Sequence, residues 1–173
     1  MSTITSQPIF STIDPQRIIS LKKFIFLSIL TFGIYDIWWI FTAWRFFQQK
    51  DQLKIMPALR SIFCIFFLYQ LFNKIKKFSN ETGHTQDYSS GLLFVGYIFT
   101  SMLYKLPDPF WLISFASIVF LIQPFQALNA AKIKSAAVMV IEGKSLSKPE
   151  IILIILFSIF WILVVLGLFI TPN

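Results

Sequence analysis

One carboxylate, Asp36, stands inside a strongly apolar stretch of the chain, TFGIYDIWWIFTAW. A charged side chain at the centre of a membrane-spanning helix costs about 2.5–3.5 kcal/mol on insertion scales, so such a residue is a candidate proton or cation site, or one half of an ion pair. The alternative is that Asp36 lies at a membrane interface, within an aromatic belt formed by four neighbours: Tyr35, Trp38, Trp39 and Trp44. We favour the interface. In either case we expect the carboxylate to be shielded from hydrocarbon.

A second polar group consists of the amides Gln123, Gln126 and Asn129. Three-residue steps turn a helix by about 60° each, so the three amides would form one strip. The strip either faces a solute groove or is the hydrated end of a helix whose amides bond to neighbouring helices. We favour the hydrated end.

The loop SNETGHTQDYSSG carries Glu81, His84 and Asp87 at three-residue spacing, which raises the question of a metal site. A lone histidine in a glycine- and serine-containing loop is weak evidence for zinc, and we expect no metal and no cofactor here. No Asp/Asp, Ser/His or His/Glu pair falls at a single depth of the chain. The sequence therefore favours a protein that is not an enzyme.

The elements that carry these residues are apolar enough for a membrane. Residues 151–170 are twenty uncharged and almost wholly apolar positions. As a helix they would be about 30 Å long, which matches the hydrocarbon core of a bilayer. Mean hydropathy is +0.72 and 56% of the chain is hydrophobic. The net charge of +7 comes from short loops between apolar runs, which argues against a nucleic-acid-binding face.

Five apolar segments predict an all-α, polytopic membrane bundle in which four or five helices span the bilayer. A polar tail, 1–20, precedes a single multipass transmembrane domain, 21–173. Segment 61–72 has only twelve uncharged residues and is predicted to be re-entrant or interfacial if it does not span. The five segments are 21–47, 61–72, 90–104, 110–128 and 151–170.

The distribution of lysine and arginine predicts part of the topology. Five spans with the N-terminus inside give ten basic residues inside and five outside. If the second segment lies flat and the N-terminus is outside, eleven basic residues are inside and four are outside. If the first and second segments both enter the membrane and return to the same side, fourteen are inside and one is outside. All three arrangements place 73–89 and 129–148 in the cytoplasm, and 105–109 and the C-terminus outside. The side of the N-terminus stays open.

The first apolar segment resembles a family of small bacterial multipass inner-membrane proteins of unknown function. The shared pattern is T-x-G-[IL]-Y-x-x-x-W-x-x-x-x-[WY]-[RK]. The later stretches PDPFWLISF and QPFQALNAAK are similar to the second half of such proteins. The resemblance implies that the protein is located in a bacterial inner membrane. It does not imply any particular activity. The positions that carry the pattern are Thr31, Gly33, Tyr35, Trp39, Trp44 and Arg45.

Together these observations predict a non-enzymatic integral membrane protein that acts through helix and lipid contacts or as a subunit of a membrane assembly. The lipid bilayer is the expected partner, together with a second copy or another membrane protein, and no nucleic acid. The alternative is a small oligomeric transporter or channel. It would use Asp36 together with the amide strip of Gln123, Gln126 and Asn129.

Overall fold

A computed structural model of the chain describes residues 13–84, 87–143, 146 and 148–170. The described part is mostly helical, as the sequence predicts, with one additional pair of short strands. The strands are β1 (Gln16–Ile18) and β2 (Val140–Glu142). The helices are α1 (Leu21–Leu30), α2 (Ile34–Lys50), α3 (Pro57–Ile62), α4 (Cys64–Glu81), α5 (Ser90–Met102), α6 (Val119–Lys134) and α7 (Lys148–Ile170). Two 3-10 helices, Leu103–Lys105 and Phe110–Ile118, lie between α5 and α6.

The first apolar segment is broken into two helices that form a hairpin. The backbone takes left-handed conformations at Phe32 and Gly33, with φ of 53° and 82°. The hydroxyl of the buried residue Thr31 donates to Leu27 O at 2.8 Å and accepts from the Tyr35 backbone N–H at 2.9 Å. One side chain thus closes the end of α1 and caps the start of α2.

The hairpin places the end of α2 beside the start of α1. Arg45, near the end of α2, donates to the Asp14 carboxylate at 2.8 Å, and Asp14 precedes α1. Because α1 has 10 residues and α2 has 17, the hairpin is about 15 Å long on its first arm and about 25 Å on its second.

The second apolar segment, 61–72, is also interrupted. Phe63 separates α3 from α4, with φ of −91° and ψ of 42°. Lys74 on α4 pairs with Asp51, which follows α2, at 2.8 Å. The chain therefore runs away from Asp51 through α3 and returns to it through α4. The predicted loop 73–89 begins inside α4, which continues to Glu81.

Helix α5 packs against the 3-10 helix Phe110–Ile118 and against α6, whereas α7 packs against α1. The close approach of α5 to the Phe110–Lys134 helix uses Gly96, because a Cβ there would lie 2.3 Å from the ring of Phe120. Lys134, at the end of α6, donates to Gly83 O at 3.1 Å, which joins 129–134 to the loop after α4. Strand β1 pairs in parallel with β2, with Gln16 opposite Val140. Part of the predicted polar tail, 16–18, is therefore integrated into the fold.

These contacts define one end of the molecule, which we call the base. It contains 13–20, the turn after α2, 82–84 after α4, 134–143 and the start of α7. At the other end of α1, the Phe32 ring lies 4.7 Å from Trp161 and 5.1 Å from Phe160, and Trp161 donates to Leu30 O at 3.0 Å. Because Trp161 is only midway along α7, the helix extends beyond the α1–α2 hairpin.

The number of helices suited to crossing a membrane is smaller than predicted. Within the described residues, two helices are long and apolar enough, Phe110–Lys134 and Glu150–Gly167, rather than four or five. The first segment is divided at Phe32–Gly33 and the second at Phe63, while α5 has 13 residues. Two such helices are compatible with a membrane protein. The predicted external C-terminus, 171–173, lies outside the described residues.

We predict that Thr31→Val destabilises the hairpin by about 1–3 kcal/mol, because the Tyr35 backbone N–H then loses its buried acceptor. The measurement is the free energy of unfolding in detergent micelles. The matched control is Thr100→Val, since the Thr100 hydroxyl only donates to carbonyls of its own helix. Equal losses in the two variants would contradict the capping role of Thr31.

Candidate functional site

Two cavities lie on opposite sides of α2. The basal cavity has a volume of 740 Å³ and is lined by β1, α2, α6 and the start of α7. The Asp36 cavity has a volume of 470 Å³ and lies among the α1–α2 turn, α4, α5 and the 3-10 helix Phe110–Ile118. Helix α2 separates them because Tyr35 and Trp39 point to one side and Asp36 to the other.

The wall of the basal cavity combines aromatic side chains with charged groups. Trp39 and Phe125 form its apolar floor, with the Phe24 ring stacked on Phe125 at 4.3 Å. Three basic and two acidic side chains line the polar part: Arg17, Arg45, Lys132, Asp14 and Glu150. These five charged residues come from different parts of the sequence. The α1–α2 hairpin and the β1–β2 pair bring them together at the base.

Lys132 is as deeply buried as Glu150, with 6% of each residue exposed. Its ammonium group donates to Gln16 Oε1 at 2.9 Å and lies 4.5 Å from the centre of the Phe46 ring. Among the described residues it forms no ion pair with a carboxylate. Its neighbours thus supply an amide oxygen and a ring face, and no neutralising charge.

Glu150 joins the start of α7 to the N-terminal segment. Its Oε2 atom lies 2.9 Å from Lys23 Nζ and 3.4 Å from Arg17 Nη2, and its side chain is 8% exposed. Tyr35 also interacts with this carboxylate. Two cations around one nearly buried carboxylate fix α7 against α1.

Asp14 forms the outer rim of the basal cavity. Its carboxylate accepts from Gln49 at 2.6 Å and from Arg45 at 2.8 Å. The hydrogen bond from Gln49, followed by that from Arg45, holds the pKa of Asp14 below its ordinary value. The charged form of Asp14 therefore stabilises the contact between 13–16 and the end of α2.

Asp36 is buried within the protein, with 1% of the residue exposed. Its Oδ1 atom has no hydrogen-bond partner among the described residues. The Ser28 side chain acts on this carboxylate, although the Ser28 hydroxyl makes no hydrogen bond of standard geometry. Tyr97, Ser101 and Ser117 share its cavity.

The structure separates the residues that the sequence singled out. Tyr35, Trp39, Arg45 and Asn129 line the basal cavity, whereas Gly33 and Asp36 line the other cavity. Thr31 caps α2, and Trp44 is fully buried beneath the Arg60 guanidinium, 4.5 Å from its ring centre.

The predicted amide strip is also divided. Gln123 and Gln126 are exposed on the outer face of α6. Asn129, which is partly buried, donates to Ile19 O at 3.3 Å. Asp36 and the amides therefore do not share a cavity.

Sequence reasoning missed Lys132 and Glu150 as site residues. Lys132 follows Asn129 by three positions and so continues the face that carries Gln126 and Asn129, which was a usable signal. Glu150 gave no such signal, because its partners lie more than a hundred residues earlier in the chain. Within the described residues, no group of three or more His, Cys, Asp or Glu side chains is placed to hold a metal ion.

Comparison of the chain with protein-family models, with curated proteins and with solved structures found no match. The resemblance of 31–45 to a bacterial inner-membrane family therefore stays a prediction.

We predict that the base loosens in acid through Asp14. Because its pKa is lowered on folding, its contribution is complete above the unfolded pKa of about 3.9 and is lost as pH falls through the folded pKa. Amide hydrogen exchange should show falling protection of Gln16 N–H, which donates to Met139 O, only below about pH 4. Asp14→Asn is the control. Full retention of this pH dependence in Asp14→Asn would assign the effect to another group.

Proposed function

We propose that this chain is an integral membrane protein without enzymatic activity, which acts through lipid and helix contacts inside a membrane assembly. The observation that carries the proposal is the exposure of α7. Its window Glu150–Gly167 has a mean hydropathy of 2.8, and 6% of it is buried. An apolar helix of this length without a protein cover requires a hydrocarbon environment.

The hairpin geometry supports a topology with two re-entrant elements. Helix α1 is about 15 Å long and α2 about 25 Å, so both arms of the hairpin are shorter than the roughly 30 Å hydrocarbon core. The α3 arm of the α3–α4 pair has only 6 residues and is also too short to cross. Three elements then cross. Phe110–Lys134 and α7 are long enough on their own, and α5, with 13 residues, crosses together with the 3-10 turn Leu103–Lys105.

Charge supports the base as the cytoplasmic side. The β1–β2 pair holds 16–18 beside 140–142. The Arg45–Asp14 contact brings the turn after α2 to the same end. Of the three arrangements weighed from the sequence, these contacts favour the one with fourteen basic residues on one side and Lys105 on the other.

We predict opposite labelling of the two ends in a bacterial host. In a Cys64→Ser background, Gln52→Cys and Asn80→Cys should react with an impermeant maleimide only after the cytoplasmic side is opened. Lys105→Cys should react in intact spheroplasts. All three positions are exposed.

The pair of cytoplasmic positions separates the re-entrant arrangement from five complete spans. Five complete spans would place Gln52 and Asn80 on opposite sides. Labelling of Gln52→Cys from outside would therefore overturn the re-entrant hairpin. Extraction of the protein from membranes by alkaline carbonate would overturn the proposal as a whole.

A second candidate function, a proton or cation pathway, is favoured by one observation. The Asp36 carboxylate is nearly inaccessible, lines a 470 Å³ cavity and has an unpaired Oδ1 atom among the described residues. Buried ionisable groups at membrane depth commonly mark such pathways. The pathway would run through the cavity that Asp36 shares with Tyr97 and Ser101 rather than along the amides of α6.

For this second function we predict that Asp36→Asn abolishes proton flux into proteoliposomes, because the amide keeps the shape of the side chain and cannot carry the proton. The readout is an enclosed pH-sensitive dye under a potassium diffusion potential. Asp108→Asn, an exposed change in the turn before Phe110–Ile118, is the control and should retain wild-type flux. Equal flux in all three proteins, or flux equal to that of protein-free liposomes, would remove this candidate.

A further inference from the structure

We propose that the basal cavity binds the acidic headgroup of a membrane phospholipid, with the acyl chains leaving the cavity between α2 and α7. This inference rests on the proposed membrane location and adds a ligand class to it. The occupant is identified by three features of the cavity: its surplus positive charge, its opening toward apolar surface, and its size.

The surplus charge lies on Lys132. The two acidic residues of the wall are already engaged, Asp14 by Arg45 and Glu150 by Arg17 and Lys23. The Lys132 ammonium faces the same cavity with an amide oxygen and a ring as its contacts. A buried cation without a counter-charge is unfavourable, and an incoming phosphate would supply that charge.

The cavity opens on an apolar surface rather than only on the polar base. Trp38 and Ile152 line it from α2 and α7 and are 56% and 65% exposed. Both side chains belong to helices that the proposed topology places in the membrane. A ligand held here has a polar end at the base and an apolar end against lipid, which describes a phospholipid and not a soluble anion.

The size and lining fit the same ligand class. A volume of 740 Å³ lies within the range of about 300–1,000 Å³ common for small-molecule pockets. Trp39 and Phe125 give the inner wall an apolar surface, while Asn129 and Lys132 place donors at the basal edge. Basic pockets between membrane helices on the cytoplasmic side recognise acidic headgroups in this way.

The test is native mass spectrometry of the full chain after delipidation, with phosphatidylglycerol and phosphatidylcholine of identical acyl chains. We expect about tenfold tighter binding of phosphatidylglycerol, the ratio that corresponds to about 1.4 kcal/mol. Lys132→Met should reduce this preference to about twofold or less, and Lys132→Arg should preserve it. Lys134→Met, which removes an exposed charge two residues away, is the matched control and should retain the wild-type preference.

A cavity-filling variant covers the case in which Lys132→Met fails to fold. Thr42 lines the cavity and donates to Trp39 O at 2.8 Å, and Thr42→Trp should lose phosphatidylglycerol binding with every charge retained. Equal affinity for the two lipids, or an unchanged preference in both Lys132→Met and Thr42→Trp, would overturn the inference. Displacement of the lipid by millimolar inorganic phosphate would overturn it too, by assigning the site to a free anion.

Failure of the lipid site is distinguishable from failure of the membrane proposal. Protein that resists carbonate extraction from phosphatidylcholine vesicles and binds both lipids equally would lack the lipid site and keep its membrane location. Protein that never inserts into the vesicles would contradict both.

Discussion

The Thr31 hydroxyl, bonded at once to Leu27 O and to the Tyr35 N–H, is the interaction on which the remaining arrangement depends. It holds the left-handed turn that reverses the chain between α1 and α2. The reversal brings Arg45 to Asp14 and turns Tyr35 and Asp36 toward different cavities. A straight helix over 21–47 would remove Arg45 from the base and would leave the basal cavity without one of its walls.

The charged groups at the base act together rather than as separate surface pairs. Glu150 is nearly inaccessible and is shared by Lys23 and Arg17, so the start of α7 is fixed to two earlier elements by one carboxylate. Exposed pairs such as Arg45–Asp14 contribute less, because water screens them. The base therefore derives its stability from Glu150, and its selectivity for a ligand would come from Lys132.

The helical class and the apolar segments could be predicted from the sequence, because apolar runs bounded by charges are a local property. A first segment that enters and returns was one of three arrangements weighed from the sequence, and the structure locates its turn at Phe32–Gly33. Phe32 has a positive φ although it is not a glycine, and its ring contacts Trp111, Phe115 and Trp161. The β1–β2 pair and the Lys23–Glu150 contact were missed because they join residues far apart in the chain. Composition also suggested an aromatic belt, but Trp39 and Trp44 are core residues.

The parallel pairing of Gln16 with Val140 sets an order of assembly. During synthesis, the first strand has no partner until nearly the whole chain has been made. At about 5–20 residues per second this delay is on the order of 10 s. The α1–α2 hairpin is therefore made while its N-terminal strand is still unpaired. The strands can pair once α6 and β2 have been made, and α7, which follows β2 in the chain, adds the last wall of the basal cavity.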